Sequence, residues 1–137
     1  SYQELKQILE QSKHNTTDIL SDSEILENLI FISNGSPGKL IENLEIWNKI
    51  PESIKHDVKY PPEDYENIFS LAKCITDQLV LNHQEFLLNY MQRDWWKKTK
   101  NKRFVEILEG IKYNISSNIQ PRISWEVGLL KIKLQDT

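Results

Sequence analysis

Residues 34–40 read NGSPGKL, and whether they hold a nucleotide or only turn the chain decides the fold. Two glycines, a serine and a lysine are the ingredients of a phosphate-binding loop. Such a loop follows a strand, has the form G-x-x-x-x-G-K-[ST], wraps the phosphates in backbone N–H groups and offers a hydroxyl to magnesium. Here Gly35 and Gly38 are only three residues apart, and Leu40 stands where the hydroxyl belongs. The residues before the turn are also wrong for a strand. Ile25, Leu29 and Ile32, with Leu26 and Ile30 beside them, recur at helical spacings of three and four. The stretch reads better as a turn between two helices. Gly35 supplies the left-handed residue that ends the first, while Ser36 caps the second and Pro37 occupies its first turn.

Working outward, helical periodicity dominates and predicts an all-α fold. A first amphipathic helix is expected from Tyr2 to about His14, with Leu5, Ile8 and Leu9 on one side. Ser21-Asp22-Ser23-Glu24 fits a capping box at the start of the second helix. The third runs to about Ile50 with Leu40, Leu44 and Trp47 on one face. Pro51 and the pair Pro61-Pro62 bracket a short segment, PESIKHDV, which is the expected hinge. The expected organisation is therefore a small three-helix unit over 1–50, a linker over 51–61 and a helical bundle over 62–137.

In that bundle Pro62, Glu63 and Asp64 mark a helix start. Tyr65, Ile68, Phe69, Ala72, Ile75 and Leu79 then fall within one arc, and Cys74 lies on the other side. A helix from about Asn82 to Lys98 gathers Phe86, Leu87, Tyr90, Met91 and Trp95, and Asn101 caps another that carries Phe104, Leu108, Ile111 and Ile115. The last segment, ISWEVGLLKIKL, is ambiguous. Ile123, Trp125, Val127 and Leu129 alternate like a strand, while Ile123, Val127, Leu130 and Leu134 share one helical face. A lone strand among helices would have no partner, so a helix is expected.

Composition narrows the function. The net charge of −3 gives no global reason to expect a nucleic-acid binder. One cysteine excludes an internal disulfide framework and any multi-cysteine zinc site, and fits a reducing, cytoplasmic setting. No apolar run reaches the length of a membrane span. Ser1, not methionine, opens the chain, so a piece of a longer protein is expected. His14, His56 and His83 are scattered, without metal-ligand spacing, and no nucleophile–base pattern emerges. Neither a catalytic residue nor a metal site is expected.

Two motifs carry a resemblance. Gly35-Ser36-Pro37-Gly38 resembles the helix–turn–helix of the lid domain in clamp-loader ATPases of the AAA+ class, in which G-S-x-R supplies the sensor 2 arginine that reaches the nucleotide. Gly38 stands where that arginine would be. Lys39, the neighbouring cation, points about 100° away on a helix. Near the other end, Asn118, Pro121, Arg122, Ile123, Glu126, Leu129 and Leu130 follow the N-x-x-P-R…E-x-x-L-L pattern of the collar domain in the delta-prime subunit of bacterial DNA polymerase III. Trp125-Glu126-Val127 and PPEDYENIFSLAKCITDQL are similar to the cyanobacterial form of that subunit.

The resemblance implies a lid plus a collar, without the RecA-like domain that bears the family's arginine finger. It implies a subunit that does not hydrolyse ATP, takes no cofactor of its own, and assembles through its collar with gamma/tau and delta subunits that bind ATP. The assembly would load the sliding clamp onto primed DNA as part of a nucleotidyltransferase complex. Trp96 falls outside the apolar face that contains Trp95, and is either an interface anchor or a buried contact within the bundle. Trp125 and Leu129 lie off the Ile123–Leu130 stripe, either as a partner-facing stripe or on a helix buried on both sides. Arg122 and Glu126, also candidate interface residues, are placed to pair along the helix. A rival reading rests on RDWWKKTKNKR. Arg93, Lys97, Lys98, Lys100, Lys102 and Arg103, interleaved with tryptophans, resemble a phosphate-contacting patch with a stacking platform for DNA. Alternatively, the lysines only complement a helix C-terminus.

Overall fold

Leucines, isoleucines and tryptophans at helical spacing, broken by capped turns, give a chain of helices. The computed structural model describes residues 23–135, and among these it contains seven helices and no strand. The expected helix over Tyr2–His14 and the Ser21 half of the capping box lie outside the described residues. The chain divides into two compact units between Lys49 and Ile50.

In the first unit, α1 (Ser23–Ile32) and α2 (Pro37–Lys49) form a helical hairpin. Leu26, Leu29 and Ile30 from α1 and Leu40, Leu44 and Trp47 from α2 are buried. A short buried polar chain tightens the connection. The Ser33 hydroxyl donates to the Leu29 carbonyl at 2.6 Å and accepts from the Asn43 amide at 3.0 Å, so the end of α1 is tied to the middle of α2.

The second unit contains α3 (Glu52–Asp57), α4 (Tyr65–Gln78), α5 (Leu81–Thr99), α6 (Lys102–Ser116) and α7 (Pro121–Gln135). Residues 51–61, expected as a linker, are a built-in wall of this unit. Ile54 and Val58, four apart on one side of the short helix, are buried. The Trp95 indole donates to the Val58 carbonyl at 2.8 Å, and the Lys98 ammonium donates to the Lys59 carbonyl at 2.6 Å. The prolines stop the helices but do not keep the apolar residues between them in water.

α4 begins at Asp64, whose carboxylate accepts from the Asn67 N–H at 2.8 Å. α6 begins at the expected cap, the Asn101 side chain accepting from the Arg103 N–H at 2.9 Å. α5 packs on α6, α6 on α7, and α7 returns against α4. Phe86, Leu87, Met91, Trp95, Phe104, Leu108, Ile111, Trp125 and Leu129 fill the centre. α6 and α7 approach closely at Gly128, where a Cβ would lie 2.2 Å from Ile111 Cδ1. ISWEVGLLKIKL is helical, as expected.

Candidate functional site

At the NGSPGKL turn the local chemistry matches the capping reading. Asn34 and Gly35 take left-handed conformations, with φ of 51° and 79°. The Ser36 N–H donates to the Ser33 carbonyl at 3.0 Å. The Ser36 hydroxyl accepts from the Lys39 N–H at 3.2 Å, and the Ser36 carbonyl accepts from the Leu40 N–H at 3.0 Å. The serine thus satisfies the start of α2 that a phosphate loop would leave open. Gly38 has no steric reason to be glycine, since a Cβ there would meet nothing within 4 Å. Asn34 to Lys39 are exposed. Among the described residues no group of three or more His, Cys, Asp or Glu side chains is placed to hold a metal.

The basic segment divides into a structural part and an exposed part. Trp95 is core, meeting Phe104 edge-on at 6.4 Å. Lys98 is held inside the unit by the Lys59 carbonyl, the Asp94 carboxylate at 2.8 Å and the Tyr60 ring, whose centroid is 4.5 Å away. It therefore serves the fold, and the expectation that it contacts DNA loses its basis. Arg93 and Lys97 are half-buried. Trp96 is 37% exposed, and Lys100 lies over its ring at 5.4 Å. Lys100, in a left-handed conformation, forms the elbow between α5 and α6, and Lys102 and Arg103 follow, exposed, in the first turn of α6. Trp96, Lys100, Lys102 and Arg103 are what remains of the sequence-predicted patch.

α7 reverses one expectation. Trp125 and Leu129, read as a candidate partner-facing stripe, are 0% exposed. The Trp125 indole donates to Gln84 Oε1 at 2.9 Å, so this tryptophan belongs to the core and is no interface anchor. The stripe expected inside is outside: Ile123, Val127 and Leu134 are 50%, 44% and 58% exposed, and Leu130 is half-buried. The reason is the close approach at Gly128. Ser124 and Gly128 make the Trp125 side the slim one, and the helix turns that side to α6. Arg122 and Glu126 pair along the helix at 3.4 Å.

Sequence reasoning missed Tyr65 and Phe69 as surface residues. Both stand at the edge of the apolar arc of α4 and are exposed, and Lys133 of α7 lies over the Tyr65 ring at 4.6 Å. Their positions, about 70° and about 110° from the centre of the Ile68–Leu71–Ala72–Ile75 stripe at 100° per residue, were the available signal.

A helical hairpin with a capped Gly-Ser-Pro-Gly turn, followed in the chain by a five-helix unit with a partly apolar surface, makes the described residues an all-helical, two-unit protein. The chain belongs to the family described as Cyanobacterial DNA polymerase III delta prime, C-terminal domain, which matches residues 3–132. Both motifs that carried the resemblance lie within the match. No curated protein and no solved structure matches the chain. The family is a subunit of DNA polymerase III and so part of a polymerase complex. No helix among the described residues is long and apolar enough to cross a membrane.

Proposed function

We propose that this chain is the lid-and-collar part of a clamp-loader subunit that does not hydrolyse ATP, and that its work is assembly. On this reading it joins gamma/tau and delta subunits through the second unit, the neighbours bind the ATP, and the whole loads the sliding clamp onto primed DNA. The observation that carries it is Gly38. The turn keeps its capping geometry and has open space beside Gly38, yet the residue there has no side chain with which to answer a nucleotide. A capped turn without a guanidinium fits a part that serves architecture. The test mixes the chain with gamma/tau and delta subunits and follows co-elution together with ATP hydrolysis by the chain alone. Association at micromolar concentration without hydrolysis is the expected result. Hydrolysis by the chain alone would overturn the reading.

A second reading, contact of the α5–α6 elbow with single-stranded or primer-template DNA, is favoured by one observation. Lys102 and Arg103 occupy the first turn of α6, where the helix dipole disfavours cations, and Lys100 just before them lies over the exposed Trp96 ring. Replacing Lys100, Lys102 and Arg103 with glutamine should then flatten the salt dependence of DNA binding. An unchanged salt slope would count against it.

A further inference from the structure

We infer that the α5–α6 elbow binds single-stranded DNA, with an unpaired base stacked on the Trp96 indole and the flanking phosphates held by Lys100, Lys102 and Arg103. The assignment rests on the second reading above, contact of this elbow with DNA, and names the form of the strand and the residue that selects it.

Lys100, Lys102 and Arg103 are all exposed, and the backbone gives none of them a reason to be a cation. Lys100 ends α5 at φ 54° and ψ 25°, a left-handed conformation that glycine or asparagine ordinarily fills. A cation suits the end of a helix, but Lys97 and Lys98 already stand there. Lys102 and Arg103 follow in the first turn of α6, where the N–H groups already concentrate positive charge. The cap of that turn is Asn101, whose side chain accepts from the Arg103 N–H at 2.9 Å. Local cost without a local return points to a ligand outside the chain.

The elbow holds its shape beneath these cations. Lys98 ties the end of α5 to the Lys59 carbonyl and the Asp94 carboxylate. The Thr99 hydroxyl donates to the Trp95 carbonyl at 2.7 Å and accepts from the Asn101 N–H at 3.1 Å. Trp96 is therefore presented on a fixed turn, 37% exposed, with the Lys100 ammonium 5.4 Å from its ring centroid. An exposed cation–π contact is weaker than the stack of a base on an indole. A base thus replaces the ammonium over the ring, and the ammonium turns to the adjacent phosphate. Paired bases have no free face to offer, since each is covered by its neighbours in the duplex, so the ring selects an unpaired strand. An acidic peptide would meet the cations and leave the indole unused.

Trp47, Trp95 and Trp125 are 4%, 0% and 0% exposed, so quenching of tryptophan emission by a bound base reports on Trp96. The experiment titrates the full chain at low salt with an oligothymidylate, with a duplex of the same length and with poly-glutamate. The expected result is binding and quenching by the oligothymidylate, and weaker association of the duplex without quenching. Trp96→Leu should weaken binding of the single strand at least about fivefold and leave the salt slope unchanged. Trp96→Phe, which keeps an aromatic face, should recover part of that loss. Circular dichroism and thermal unfolding check that each variant stays folded. If single strand and duplex bind equally well, or Trp96→Leu binds the single strand as the unaltered chain does, the stacking role of Trp96 falls while phosphate contact by the elbow stands. If poly-glutamate displaces the oligothymidylate as effectively, charge for charge, as further oligothymidylate does, the elbow is a patch for anions in general and the assignment is overturned. If neither form of DNA binds, the assignment and the second reading fall together.

Discussion

The Trp125 indole N–H donates to Gln84 Oε1 at 2.9 Å inside the second unit, and the Gln84 amide donates in turn to the Leu79 carbonyl at 3.0 Å. One buried side chain thereby joins the end of α4, the start of α5 and the middle of α7. Trp125 is 0% and Leu79 6% exposed, so neither partner has water to fall back on. Replacing Gln84 with methionine of similar volume leaves a buried indole N–H and a carbonyl unmatched. The expected loss is about 1–3 kcal/mol for the unsatisfied indole, read from urea unfolding. Adding Trp125→Phe should cost less on this background than on the unaltered chain, because the donor is gone.

The two glycines of the NGSPGKL turn should respond in opposite directions. Gly38 lies in the first turn of α2, and a Cβ added there would have nothing within 4 Å. Gly38→Ala is expected to stabilise the first unit by about 0.5–1 kcal/mol through lower backbone entropy in the unfolded chain. Gly35 has φ of 79°, where an L side chain is strained, so Gly35→Ala should destabilise by about 1 kcal/mol. Thermal unfolding of the two variants side by side checks both signs.

Gly128 is glycine for packing, not for its backbone. A Cβ there would lie 2.2 Å from Ile111 Cδ1 and 2.3 Å from Ile111 Cγ1, so both the end and the body of the isoleucine must move within a filled core. Gly128→Ala should cost about 1–3 kcal/mol despite its gain in helix propensity. Pairing it with Ile111→Val, which removes the Cδ1 methyl, should recover part of the loss. Additive losses in urea unfolding would disprove the contact.

That same contact explains what was legible in the sequence. The NGSPGKL turn could be read because its determinants are local: a left-handed glycine, a serine cap and a proline within three residues. Asn101 as a cap was legible for the same reason. The core of α5 was legible because Phe86, Leu87, Met91 and Trp95 form one stripe with no competitor. The faces of α7 were not, since Ile123–Val127–Leu130–Leu134 and Trp125–Leu129–Ile132 are both apolar, and periodicity cannot rank them. Volume ranks them, through Ser124 and Gly128 at the approach to α6, and this is a tertiary fact. The segment from Pro51 to Pro61 misled in a similar way, because proline reports where helices stop and says nothing of whether Ile54 and Val58 are buried.

Acid should loosen the α5–α6 pairing at Glu109. The Gln92 amide donates to its carboxylate at 3.0 Å, and the Lys112 ammonium lies 3.1 Å away. The Gln92 hydrogen bond is the main cause that holds its pKa below the ordinary carboxylate value; burial opposes it, and the hydrogen bond and charge of Lys112 add to the lowering. The folded state therefore favours the ionised form more than the unfolded chain does. Its contribution to stability is present above the unfolded carboxyl value, about 4.3, and is lost as pH falls through the lower folded value. Glu109 is 61% exposed, so solvent screening limits the effect to about 0.2–1 kcal/mol. Glu109→Gln should accordingly be less stable than the unaltered chain at pH 7 and close to it near pH 3. Urea midpoints at the two pH values give the difference directly, and a gap that widens on acidification would reverse the assigned sign.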